Sequence, residues 1–127
     1  MDHVPRISEA EWTVMKVLWN ESPLTADDVV TALDDTTSWS PRTIKALLNR
    51  LINKKALGFQ REGRKYLYYP LAEEAACVRA ESKSFLQRVY GGAVTPMLAM
   101  FLEEEELTPQ EIAELRKVLN RRGRQQR

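Results

Sequence analysis

Trp39-Ser40-Pro41-Arg42-Thr43-Ile44-Lys45-Ala46-Leu47-Leu48-Asn49-Arg50-Leu51-Ile52-Asn53 is the stretch that decides the fold. Ser40 is an N-cap residue followed by proline at the first helical position, where the missing N–H is harmless. Apolar residues then recur at Ile44, Leu47, Leu48, Leu51 and Ile52, the i, i+3, i+4, i+7, i+8 spacing of a one-sided amphipathic helix. At about 100° per residue the opposite face carries Arg42, Ala46, Asn49 and Asn53, flanked by Thr43, Lys45 and Arg50. An apolar stripe backed by small, amide and guanidinium side chains suits a helix that lies in a groove.

Upstream, Ser8-Glu9-Ala10-Glu11 is a capping box, with Ile7 and Trp12 at the positions of a hydrophobic staple. It predicts a helix to about Asn20 that buries Ala10, Val14, Leu18 and parts of Trp12 and Trp19. Glu21-Ser22-Pro23 is a turn, Thr25 with Asp28 starts a short helix to about Leu33, and Trp39 is expected in one short strand. Downstream, the β-leaning runs Leu57 to Arg61 and Lys65 to Tyr69 flank Gly63 and form a hairpin that Pro70 closes. Three helices and a hairpin, in that order, are the winged helix-turn-helix arrangement, expected over residues 7–70.

Charge is segregated along the chain. The net formal charge is +1, yet residues 1–38 hold two basic and eight acidic side chains, a balance of −6. Residues 39–70 hold eight basic side chains against Glu62 alone, a balance of +7. A local excess of that size points to a polyanion as partner. Within the final segment, Arg116 to Arg127 carries six basic residues and no acid.

Beyond Pro70 the pattern is helical. Glu73 to Tyr90 places Val78, Phe85, Leu86 and Val89 on one side and ends at Gly91-Gly92. Thr95-Pro96 is expected to start a second helix, with Met97, Leu98, Phe101 and Leu102 apolar. Thr108-Pro109-Gln110-Glu111 is a further capping box, opening a helix with Ile112, Leu115, Val118 and Leu119 on its face. Three such helices over residues 71–122 are too few for a core of their own. Their stripes can pack against the same region of a second copy, giving a homodimer, or fold back on the winged helix, giving a monomer. Residues 123–127 are expected to form a basic disordered tail.

Several motifs together resemble one family, the penicillinase and methicillin-resistance repressors. They are Ile7-Ser8-x-Ala10-Glu11-Trp12-x-Val14-Met15, Trp39-Ser40-Pro41-Arg42-Thr43-Ile44, Leu47-x-x-Arg50-Leu51-x-x-Lys54, Tyr68-Tyr69-x-Leu71, Val89-Tyr90-x-Gly92 and Leu107-Thr108-x-x-Glu111-Ile112-x-Glu114-Leu115. The resemblance implies a homodimer that binds a two-fold symmetric operator in double-stranded DNA and represses β-lactam-resistance genes. It also implies release when a membrane sensor-protease triggers cleavage of an Asn-Phe bond in the dimerisation region. In this chain the equivalent pair is Met100-Phe101, with methionine in place of asparagine. A sister group of copper-responsive repressors ends in a cysteine-rich motif, which this chain lacks; soft metals need clustered thiolates.

On this reading Arg42, Thr43, Lys45 and Asn49 reach base edges in the major groove, and Ala46 allows close approach. Arg50 and Lys54 suit phosphates, and Arg61, Arg64 and Lys65 on the wing suit the backbone or the adjacent minor groove. The sequence offers no nucleophile–base pairing, no Gly-rich phosphate loop and no metal-ligand cluster, and His3 lies near the N-terminus, so neither catalysis nor a cofactor is expected. A single cysteine, Cys77, fits a reducing cytoplasm. No apolar run approaches the length of a membrane span, and the first residues lack the apolar core of a signal peptide. Two other uses of the fold stay open at this point: a regulator with a small-molecule pocket, and a winged helix that binds protein.

Overall fold

Local capping chemistry sets most of the element boundaries. The computed structural model describes residues 4–125; His3 and the last two residues of the expected tail lie outside that range. Helix α1 spans Glu9–Asn20, α2 Ala26–Leu33 and α3 Pro41–Asn53, followed by strands β1 (Leu57–Glu62) and β2 (Lys65–Pro70). Helices α4 (Glu74–Tyr90), α5 (Val94–Glu104) and α6 (Pro109–Gln125) complete the chain. The Ser8 hydroxyl accepts from the Glu11 amide while the Glu11 carboxylate accepts from the Ser8 amide, and Thr25–Asp28 repeats the arrangement. Thr108 and Glu111 do the same for α6, at 3.0 and 3.1 Å.

One compact unit runs to Ser82, and its core is a single cluster. Val14, Met15 and Leu18 of α1 meet Val29 and Leu33 of α2 and Ile44, Leu47, Leu48 and Leu51 of α3, with Leu57, Tyr68 and Cys77 closing it. Each large apolar side chain buried in this way stabilises the unit by about 1.5–3 kcal/mol. Burial pushes the Cys77 thiol above its ordinary pKa, so the lone cysteine is a core residue with little thiolate. The winged helix extends past residue 70, because the first turns of α4 belong to it: Cys77 is in its core, and Glu74 pairs with Lys16 of α1 at 2.7 Å.

The strands pair antiparallel, with Phe59 opposite Tyr68 and Arg61 opposite Tyr66. Gly63 opens the two-residue turn at φ 63°, a conformation open to glycine at no steric cost. The short strand expected at Trp39 does not form. Leu24 takes that place, its amide donating to the Tyr68 carbonyl at 3.1 Å and its carbonyl accepting from the Tyr68 amide at 2.7 Å. Trp39 instead leads into the α3 cap and packs, half-buried, against the core. Two burial expectations for α1 also change: Met15 is fully buried whereas Ala10 is only partly so.

The second unit begins at Lys83 and holds the end of α4 with α5 and α6. None of its described residues is buried. Helix α5 starts at Val94, ahead of the expected Thr95-Pro96, and Ala93 gives it no side-chain cap. Helix α6 continues to Gln125, so residues 123–125 are helical where a disordered tail was expected. Arg122 and Arg124 lie in its last turn, where cations complement the helix dipole.

Candidate nucleic-acid interface

Helix α3 is anchored at both ends before it presents anything outward. At its start the Ser40 hydroxyl accepts from the Thr43 amide at 3.2 Å and lies 3.1 Å from the Thr43 hydroxyl, which orients that side chain. At its end the Ala56 amide donates to the Leu51 carbonyl and the Lys55 amide to the Ile52 carbonyl, both at 2.9 Å. This is a Schellman motif, and Lys55 occupies its left-handed position at φ 65° where glycine is usual. The inward stripe of Ile44, Leu47, Leu48 and Leu51 is buried, which fixes the rotation of the helix.

With the rotation fixed, Arg42, Thr43, Lys45, Ala46, Asn49 and Arg50 are all exposed, as the stripe phase requires. The short Ala46 side chain between Arg42 and Asn49 leaves the outer face open to a close approach. On the hairpin, Arg61, Arg64 and Lys65 are exposed as well. The Arg61 guanidinium donates to the Gly63 carbonyl at 3.3 Å, holding it along the turn. Hydrogen bonds from Thr25, helped by the nearby Lys65 charge, hold the Asp28 carboxyl below its ordinary pKa.

Lys54, expected to suit a phosphate, is engaged within the chain. Its ammonium donates to the Glu11 carboxylate and, at 2.8 Å, to the Arg6 carbonyl. Glu11 is 1% exposed, the one charged side chain buried among the described residues of this unit. Burial alone would raise its pKa, but the Lys54 ammonium and the Ser8 amide and hydroxyl outweigh that and hold it below the ordinary value. Capping-box spacing located Glu11; nothing local in the sequence pairs it with a lysine 43 positions away.

The wing's aromatic side chains, legible in the sequence as a hairpin signal, pack on one another. Phe59 and Tyr66 are exposed with ring centroids 4.8 Å apart, and Tyr66 meets Tyr68 edge-on at 6.5 Å. They stiffen the hairpin that carries the basic residues. Of the residues expected to dimerise, Val78, Val89, Leu98, Phe101, Leu102, Ile112, Val118 and Leu119 are exposed. Phe85, Leu86, Met97 and Leu115 are half-buried. Phe85 stacks on Phe101 at 6.4 Å and meets Tyr90 at 6.0 Å. Met100 and Phe101 lie inside α5, so the bond between them is helical.

A three-helix unit with a basic, outward-facing third helix and a basic hairpin defines a winged helix-turn-helix protein of the nucleic-acid-reading class. Comparison with known proteins narrows this. A model of the penicillinase repressor family matches residues 7–121. The penicillinase repressor of Bacillus licheniformis is 42% identical over 119 residues, spanning 94% of this chain and 93% of that protein. The methicillin resistance regulatory protein MecI of Staphylococcus aureus is 34% identical over 116 residues, 91% of this chain and 94% of its own. Among solved structures, Bacillus licheniformis BlaI in its monomeric form in complex with the blaP half-operator superposes with a TM-score of 0.52 at 44% identity, covering 59% of this chain and 92% of that one. The chain belongs to the penicillinase repressor family.

Proposed function

We propose that this protein is a homodimeric transcriptional repressor that binds a pseudo-palindromic operator and controls β-lactam-resistance genes. The observation that carries the reading is the exposed row Arg42, Thr43, Lys45, Ala46, Asn49 and Arg50 on a helix fixed by its buried face, in a family whose relative was solved on a half-operator. Arginine pairs bidentately with guanine and asparagine with adenine, so this row has the chemistry for base readout. Arg61, Arg64 and Lys65 add phosphate or minor-groove contacts that position the unit without specifying sequence.

Dimerisation is supported by the second unit, where no described residue is buried while Leu98, Phe101, Leu102, Ile112, Val118 and Leu119 stand exposed. Joining two reading units makes the second contact effectively intramolecular and raises operator affinity by orders of magnitude. The protein acts in the cytoplasm as a binding protein rather than a catalyst. No described helix is long and apolar enough to cross a membrane, and no described group of three or more His, Cys, Asp or Glu side chains is placed to hold a metal.

Release follows from loss of the dimer through a membrane sensor-protease system, with Met100-Phe101 as the bond cut. A protease needs extended backbone, and α5 is built to open locally. It has no side-chain cap, and Glu103 and Glu104 in its last turn oppose the helix dipole. Selection of duplexes from a random-sequence library by the full chain, with sedimentation of the complex, tests the reading. The expected result is an inverted repeat bound by two chains; a direct single site bound by one chain contradicts it.

A further inference from the structure

The segment leading into α1 is held against the trailing end of α3 by Lys54. Pro5 and Ile7 are buried and Arg6 between them is exposed, so the two neighbours fix the backbone from which the arginine projects. The Lys54 ammonium, at the cap of α3, grips the Arg6 carbonyl at 2.8 Å and the buried Glu11 carboxylate together. Pro5, Arg6, Ile7, Ser8 and Lys54 line one shallow cleft. At about 100° per residue, Lys54 falls on the edge of α3 between the buried Leu47 and the exposed Arg50. The Arg6 backbone therefore sits beside the C-terminal cap of α3, on the side that leads to Arg50.

We infer that Arg6 is a DNA phosphate contact of this chain, and that Lys54 is the positioning residue that sets it there instead of a phosphate contact in its own right. The inference rests on the DNA-reading function above. A phosphate is the matching ligand because the site is one exposed guanidinium beside a helix whose next turn offers Arg50, with no groove-reading element of its own. The Lys54 charge is already taken up by a buried carboxylate. Moving it to a phosphate would leave Glu11 uncompensated in the core, so the basic groups this edge can offer to phosphate are Arg50 and Arg6. An arm tethered beside a reading helix extends a footprint past the groove the helix fills.

The test uses the full chain and the duplex it enriches from a random-sequence library, with affinity measured across a salt series. Each phosphate contact contributes about 0.9 to the slope of log affinity against log salt. Arg6→Gln, at an exposed position, is expected to lower the slope by about 0.9 for each protomer bound. Lys54→Met in the Arg6→Gln background is expected to lower it no further, and Lys54→Arg in the otherwise native chain to keep the full slope. An unchanged slope in Arg6→Gln, with Arg42→Ala still weakening binding, overturns the inference and leaves the DNA reading standing. A further fall on adding Lys54→Met overturns it too, because Lys54 would then touch phosphate itself. If neither Arg6→Gln nor Arg42→Ala changes binding, the DNA reading fails and the inference with it.

Discussion

Arg42 stands exposed in the first turn of α3, one residue past a proline that cannot donate. Arg42→Ala is expected to weaken operator binding by roughly 1–3 kcal/mol and to relax sequence preference at one position, measured at fixed salt on single-base variants. Lys55 carries left-handed backbone at φ 65° without the glycine that such a cap favours. Lys55→Gly relieves that strain against the greater entropy of an unfolded glycine. A net gain of up to about 1 kcal/mol is expected in denaturant titration. Glu11 gives up its proton more readily in the folded protein than at its ordinary value of 4.5. Its pairing with Lys54 therefore stabilises the fold fully above that pH and is lost as pH falls through the lower folded value. Acid titration of stability should show Glu11→Gln with a shallower fall below pH 4.5 than the native chain; parallel curves would remove Glu11 from the acid response. Breaking a fully buried pair costs roughly 3–5 kcal/mol, and less is expected here because Lys54 is 37% exposed.

Elements differ in how openly the sequence announces them. Helix α3 is legible because its cap, its proline and its apolar stripe agree, and because the stripe that fixes its rotation also assigns its outer face. Ser40→Ala is expected to cost about 1 kcal/mol of stability, seen as a lower unfolding midpoint with unchanged cooperativity. The hairpin is legible through Gly63 and its flanking aromatics. What the sequence hides is pairing over distance. Leu24, a single residue between a turn and a helix cap, carries no strand signal, yet both its backbone groups bond Tyr68. Trp39 has strand propensity but is drawn into the lead of α3, tertiary context overriding preference. Lys54 looks like one more cation in a basic run, and only folding brings it to Glu11. At the other end of the chain, α5 begins one residue early, at Val94, which puts Thr95 and Pro96 in its first turn, where proline's missing N–H costs no hydrogen bond. Residues 123–125 continue α6 because the basic residues that read as a tail also suit the C-terminal part of a helix.

The whole molecule joins two units that differ in burial. The first has a continuous core drawn from α1 to α4; the second has no buried residue among those described. On the proposed function, dimerisation and with it tight operator binding depend on the exposed apolar residues of the second unit. On the same proposal the switch lies in the second unit, at Met100-Phe101, and cleavage there is expected to undo the stack of Phe85 on Phe101. The apolar Met100 replaces the polar residue of the expected Asn-Phe pair, so cells exposed to a β-lactam should be checked for a fragment ending at Met100. The most direct test of the account is operator binding by the chain cut after Tyr90. A folded winged helix is expected that binds the two-half-site duplex as independent weak events, with affinity lower by about two or more orders of magnitude, the loss expected when a bivalent contact becomes monovalent. A truncated chain that binds as tightly as the full one would contradict it.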